Sequence, residues 1–168
     1  MAKLLKEYGL AYFYSLIMID FLKIKKKLYA SCLLFVNDRL TTITEVLESN
    51  KKALFSETKS SAGDKHETGR AMLQLEMEKA SQQLASINQM KEVLNRIVVE
   101  KTTKTICLGS LIITDKANYF LAISSGKITI ENIEYFSVST NSPIGQQMLG
   151  KKEGDIIAFN SAKILQIY

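Results

Sequence analysis

The run Gly63-Asp64-Lys65-His66-Glu67-Thr68 sets two carboxylates three positions apart, between two long stretches of heptad-spaced apolar residues. A pair at that spacing on a helix start falls on one face. Where a helical hairpin reverses, such a pair belongs to a group delivered into something else, not to an active site enclosed by its own protein. The same spacing also serves as a variant of the capping box, with Asp64 as N-cap and Glu67 at the third helical position. On spacing alone the cap is the commoner use. His66 is the only histidine, and Cys32 and Cys107 lie far apart with no neighbouring ligand residues. A multi-histidine metal centre, a zinc pattern and a CxxC redox motif are all excluded. The two cysteines read as small buried residues in a reducing compartment.

The elements that carry the pair follow from periodicity. Leu33, Val36, Leu40, Ile43, Leu47, Asn50 and Leu54 alternate by three and four, with one polar position at Asn50. After Gly63 the spacing resumes with Leu73, Met77, Ala80, Leu84 and Ile87, and again with Leu94 and Val98. Lys91 interrupts it and Met90 fills the gap. Two matching seams joined by a short Ser/Gly link predict an antiparallel coiled-coil helical hairpin over 23–101, with its tip near 60–67. A helix of roughly 35 residues is about 50 Å long.

At Lys101-Thr102-Thr103-Lys104 the periodicity stops and β-branched residues take over. Ile106–Thr114, Tyr119–Ser125, Ile128–Ile130, Glu134–Ser139, Ile156–Phe159 and Lys163–Tyr168 read as strands. Ser142-Pro143 starts a short helix, with serine as cap and proline at its first position. Gly150 ends it. The expected fold class is α+β: the hairpin, then a small antiparallel sheet domain over 104–168 with one short helix.

Bulk properties add bounds. The chain has 168 residues, 46% of them hydrophobic, and a net charge of +5, enough for a packed core and mildly suited to nucleic acid or an acidic protein surface. Leu10–Leu22 is apolar but shorter than the roughly 20 residues of a membrane span. Lys23, Lys25, Lys26 and Lys27 separate it from Tyr29-Ala30-Ser31-Cys32, which breaks the order a secretion signal requires. Residues 1–22 are therefore expected to be an N-terminal extension, with Met18 as the start of translation, and the protein is expected to be cytoplasmic with no membrane association.

Ser137-Val138-Ser139-Thr140-Asn141-Ser142-Pro143-Ile144-Gly145, then Leu149-Gly150-Lys151-Lys152 and Gly154-Asp155, resemble the C-terminal domain of the bacterial GreA/GreB transcript-cleavage factors. Gly63-Asp64-x-x-Glu67 resembles the coiled-coil tip of the same family, and the order of the two parts agrees. The resemblance covers roughly residues 23–168. It implies an FKBP-like sheet domain and a monomeric elongation factor that is not an enzyme alone. Its partners are RNA polymerase, entered through the secondary channel, and the 3′ end of backtracked nascent RNA. It holds no cofactor of its own. By motif match, Asp64 and Glu67 help position a magnesium ion shared with the polymerase, which then cuts its own RNA. Asn141, Ser142 and Pro143 match the polymerase-docking surface. Lys59, Lys65 and Arg70 lie near the tip in sequence and can neutralise RNA phosphates.

The tip departs from the family where Thr68-Gly69-Arg70-Ala71 replaces a stretch carrying an aromatic and a further acid. That departure keeps a second reading open, a secondary-channel regulator without cleavage. A third is an FKBP-like isomerase or chaperone, for which Tyr119, Phe120, Tyr135, Phe136, Phe159 and Tyr168 supply aromatics but no recognisable pocket motif. Glu57 and His66, also near the tip, read as solvated.

Overall fold

The computed structural model describes the backbone of residues 2–57 and 64–168, and the side chains of 20–56 and 68–168. Two long helices, α1 (Ala2–Glu57) and α2 (Asp64–Asn95), precede six strands and a short helix. The fold is α+β. By its contacts the chain forms two compact units, one made of residues 1–33 and 93–168, the other of residues 34–92. Among the described residues, no helix is long and apolar enough to cross a membrane.

The unit of residues 34–92 is built from the heptad positions. Val36, Ile43, Ala80 and Ile87 are buried, and Leu40, Leu47, Leu54, Leu73, Met77 and Leu84 are half-buried. α1 begins at Ala2, far upstream of the expected start near Lys23, since no proline interrupts residues 2–22. α2 stops earlier than its seam suggested. The chain tightens after Asn95, with Arg96 N–H bonded to Val93 O and Ile97 N–H to Leu94 O. Ile97 is buried in consequence, and Val98 is 60% exposed.

The other unit centres on a sheet of β1 (Leu111–Thr114), β2 (Asn118–Ala122), β3 (Gly126–Ile130), β4 (Ile133–Ser139), β5 (Ile156–Ile157) and β6 (Ala162–Ile167), in the order β3-β4-β2-β1-β6-β5. The sheet is mixed, which corrects the expectation of a purely antiparallel one: β2 and β4 pair in parallel, Phe120 opposite Ser137. Burial explains the insertion. β3 buries only Ile130 and takes the edge, whereas β4 carries buried Tyr135 and Ser137 between β3 and β2. The β3–β4 hairpin turns on Glu131 and Asn132, both at positive φ, the two-residue geometry that suits strand twist.

The first strand is shorter than the apolar run Ile106–Thr114. Gly109 has φ +86°, and a Cβ there would stand 2.9 Å from Ile97 Cγ2. The chain turns between Cys107 and Ser110, so Ile106 reaches the core before β1 begins and bonds with Gly150 and Lys151. One core gathers Ile106, Ile112, Leu121, Met148, Ile157 and Ile164. Within the same unit, α1 contributes buried Leu28 and Cys32. The Cys32 thiol lies 3.2 Å from Ser137 Oγ, which donates to Ile123 O. Burial pushes the Cys32 thiol above its usual range, opposed by the hydrogen bonds to Ser137 and Ser125.

Lys25 is 1% exposed, and its Nζ donates to Lys101 O at 2.9 Å. Burial lowers its pKa, with Cys107 and Glu100 opposing the shift. A base with a depressed folded pKa leaves the unfolded chain holding more protons over the window just below the usual lysine range, so stability rises with pH there. Against Lys25→Met, the parent protein is expected to gain stability as pH climbs from neutral toward that range, measured by urea unfolding at several pH values. Cys32 slopes the opposite way but is common to both proteins and cancels. Parallel stability curves for the two would refute the effect.

Candidate functional site

The Ser142-Pro143 start forms as the sequence requires. The helix α3 (Pro143–Met148) is capped by Ser142, whose φ of −73° and ψ of 153° are extended. Its Oγ accepts from Gly145 N–H at 3.1 Å and donates to Ser139 O at 2.7 Å. Asn141 N–H donates to Ser139 Oγ, and Asn141 O accepts from Gln146 Nε2. Asn141 and Pro143 are exposed and Ser142 is half-buried. These three candidate docking residues thus form one short surface segment between β4 and α3.

The rest of the motif explains itself structurally. Leu149 N–H closes α3 onto Gly145 O, and Gly150 follows at φ +76°. Lys152 N–H donates to Asp155 Oδ2 at 2.8 Å, and Gly154 N–H to Ile164 O. Gly145 itself carries a role that spacing did not reveal. A Cβ there would meet Ser139 O at 2.0 Å. Only glycine lets α3 start so close to the end of β4.

At the other candidate site, Asp64 opens α2 and Glu67 follows three residues later, neighbouring positions on a helix surface. Both belong to the unit of residues 34–92. The side chains of Asp64, Glu67, Lys65, Glu57 and His66, and Lys59 altogether, lie outside the described residues. Arg70 is exposed on α2. Among the described residues, no group of three or more Cys, His, Asp or Glu side chains is placed to hold a metal ion. Two carboxylates are hard oxygen donors that suit magnesium, too few to enclose it and enough to complete a site shared with other ligands.

The same unit contains a groove of about 520 Å³ between α1 and α2, lined by Ile43, Val46, Asn50, Ala80, Ile87 and Met90 among others. Asn50 Nδ2 is buried with no hydrogen-bond partner. The polar break in the first heptad run was the visible signal for it. The sheet-bearing unit has a smaller cavity of about 190 Å³ beside Phe21, Lys25 and Tyr168, where Phe21 stacks on Tyr168 with centroids 3.8 Å apart. Nothing in the sequence pattern announced it, because Lys25 reads as one of four solvated lysines. No family model matches the chain, and no curated protein sequence matches it.

Replacing Ser142 with alanine removes the cap and is expected to cost about 1 kcal/mol. Gly145→Ala drives a methyl group into a backbone oxygen and is expected to cost more, about 3 kcal/mol. Urea unfolding of both variants tests this order. A Gly145→Ala protein as stable as its parent would show that α3 can start elsewhere.

Proposed function

We propose that this protein is a GreA-like transcription elongation factor that binds RNA polymerase through the secondary channel and stimulates cleavage of backtracked RNA. One observation carries the reading: two long helices flank the Gly-Asp-x-x-Glu run, with Asp64 opening the second, and a sheet follows whose short helix starts on Ser142-Pro143. Two signatures from separate parts of the sequence each fall on the kind of element that the resemblance requires. An antiparallel sense for α1 and α2 is supported by the link between them. Six residues separate Glu57 from Asp64, a reach of about 25 Å at most. That is too short for α2 to start again beside the far end of α1 and still share a groove with its residues 38–50.

In this role Asp64 and Glu67 supply carboxylate oxygens to a magnesium ion shared with the polymerase, which, when bound, activates the attacking water and stabilises the leaving oxygen. Arg70, exposed one turn beyond Glu67, is available to RNA phosphates. Asn141, Ser142 and Pro143 form the docking segment, held by Ser139 and Gly145. The protein acts as a cytoplasmic monomer with no complete active site of its own.

The Thr68-Gly69-Arg70-Ala71 sequence supports a second reading, a channel-binding regulator that does not promote cleavage, since a base and an alanine stand where the family carries an acid and an aromatic. The isomerase reading draws less support. Phe120 and Tyr135 are fully buried and Tyr119 nearly so, which spends those aromatics on packing.

Stalled complexes with backtracked RNA, with and without the protein, decide between the first two. Shortened RNA with a new 3′ end is expected. Asp64→Ala and Glu67→Ala, made separately, each remove a ligand oxygen and are expected to slow cleavage by more than the tenfold or so that losing a group that merely orients a metal ligand costs. Their competition with the parent protein for polymerase should be unchanged. Normal cleavage by both variants would remove the catalytic role. Binding without any cleavage by the parent protein would favour the regulator.

A further inference from the structure

The transcript-cleavage reading leaves Lys25 unused. Its neighbours Lys23, Lys26 and Lys27 are exposed, whereas Lys25 is 1% exposed. Among the described residues its Nζ has one hydrogen-bond partner, the neutral carbonyl of Lys101, and it belongs to no ion pair. Glu100, next to that carbonyl in the chain, instead meets Lys26 at 3.4 Å. A methionine would fill the same space without the cost of burying an amine. An amine kept at that cost beside a cavity is a candidate for chemistry. The cavity of about 190 Å³ is lined only by residues of the sheet-bearing unit. Phe21, Val99 and Tyr168 give it apolar walls, with the Phe21 and Tyr168 rings stacked on each other, and exposed Glu100 and Thr102 form its rim. Lys25 lines it too, and the carbonyl that holds Nζ lies in the chain between those two rim residues. A cavity of about 150 Å³ accepts a benzene molecule, so this one has room for a six-membered ring with one short substituent.

We propose that this cavity is a binding site for a small uncharged aldehyde, which the Lys25 amine captures as an imine. Three observations select that chemistry. The walls suit a ring and not a charged group. Glu100 at the rim opposes an anion. The basic group buried at the wall is an amine, which forms a covalent bond with a carbonyl carbon. Burial holds that amine below the ordinary lysine range, with Cys107 and Glu100 opposing the shift. A larger share of it is therefore unprotonated near neutral pH than an ordinary lysine would show, and the unprotonated amine is the nucleophile. Burial also holds the Tyr168 phenol above its usual range, so that wall carries no charge. In the reaction the nitrogen lone pair attacks the carbonyl carbon, and a C–N bond forms as the C=O π pair moves to oxygen. The oxygen takes a proton from the nitrogen to give a carbinolamine. The C–O bond then breaks, and the oxygen leaves as water with the second nitrogen proton as C=N forms. One amine and one aldehyde give one imine and one water, with no oxidant or reductant. The inference stands independently of the transcript-cleavage reading, since none of its residues serves that role.

Benzaldehyde is the probe. The full chain is incubated with it near neutral pH, the imine is reduced to a stable benzylamine with cyanoborohydride, and the labelled lysine is located by peptide mass mapping. Lys25 is expected to gain a benzyl group about tenfold or more faster than exposed Lys23 and Lys26 on the same helix, because the cavity holds the aldehyde against the amine. Benzyl alcohol fills the same space but forms no imine. It is expected to slow the labelling of Lys25 and to leave Lys23 and Lys26 unchanged. Labelling of Lys25 no faster than that of Lys23 and Lys26 overturns the proposal. So does fast labelling that benzyl alcohol leaves untouched, which marks a reactive amine without a ligand site.

Discussion

Two hydrogen bonds to one carbonyl oxygen, that of Ser139, set the geometry on which the sheet-bearing unit depends. Ser142 donates to it from its backbone N–H at 3.0 Å and from its Oγ at 2.7 Å. The chain therefore reverses within three residues of the end of β4 and enters α3 at once. The same oxygen leaves no room for a side chain at position 145, so glycine there is a steric requirement and not a matter of flexibility. Once α3 is set, Met148 falls into the core beside Ile106 and Ile157. Gly150 and Lys151 then bond the segment before β1 back onto the end of α3. One short reversal thus links the centre of the sheet, the helix and the entry to β1, and it presents Asn141 and Pro143 to solvent.

Much of this architecture could be read from residue order because local signals agreed with one another. The heptad spacing located two long helices, and the Ser-Pro pair located α3 to the residue. What escaped was set by contacts between residues distant in sequence. The parallel pairing of β2 and β4 depends on the relative burial of β3 and β4, which alternation alone does not rank. The shortened first strand depends on Gly109 approaching Ile97, a partner twelve residues away. The buried state of Lys25 depends on a carbonyl at position 101. For the tip, sequence spacing supplied the pair Asp64 and Glu67, and the structure adds their place at the start of α2.

The two units meet the demand for burial in different ways. In the sheet-bearing unit Leu111, Ile112, Phe120 and Leu121 are fully buried, so β1 and β2 are covered on both faces. A pair of helices has no second layer. In residues 34–92 only four described side chains are buried, while Val46, Met72 and Leu75 stay exposed. Each apolar stripe is wider than one seam can cover. Asn50 sharpens the point, since an amide left unpaired beside that seam costs stability and gains nothing unless it fixes register or meets a partner.

Charge divides along the same line. Residues 34–92 contain nine acids and eight bases, so the whole cationic excess of the chain lies in the remainder, which carries the sheet. A basic unit is drawn toward an acidic surface at long range, whereas a nearly neutral pair of helices is neither pulled nor repelled by the phosphates that surround a nucleic-acid enzyme. In the proposed role, that partition would let the basic unit approach an acidic partner surface at long range. Two carboxylates at Asp64 and Glu67 would face repulsion on approaching RNA alone. In the proposed role, Lys59, Lys65 and Arg70, close by in sequence, would reduce that cost.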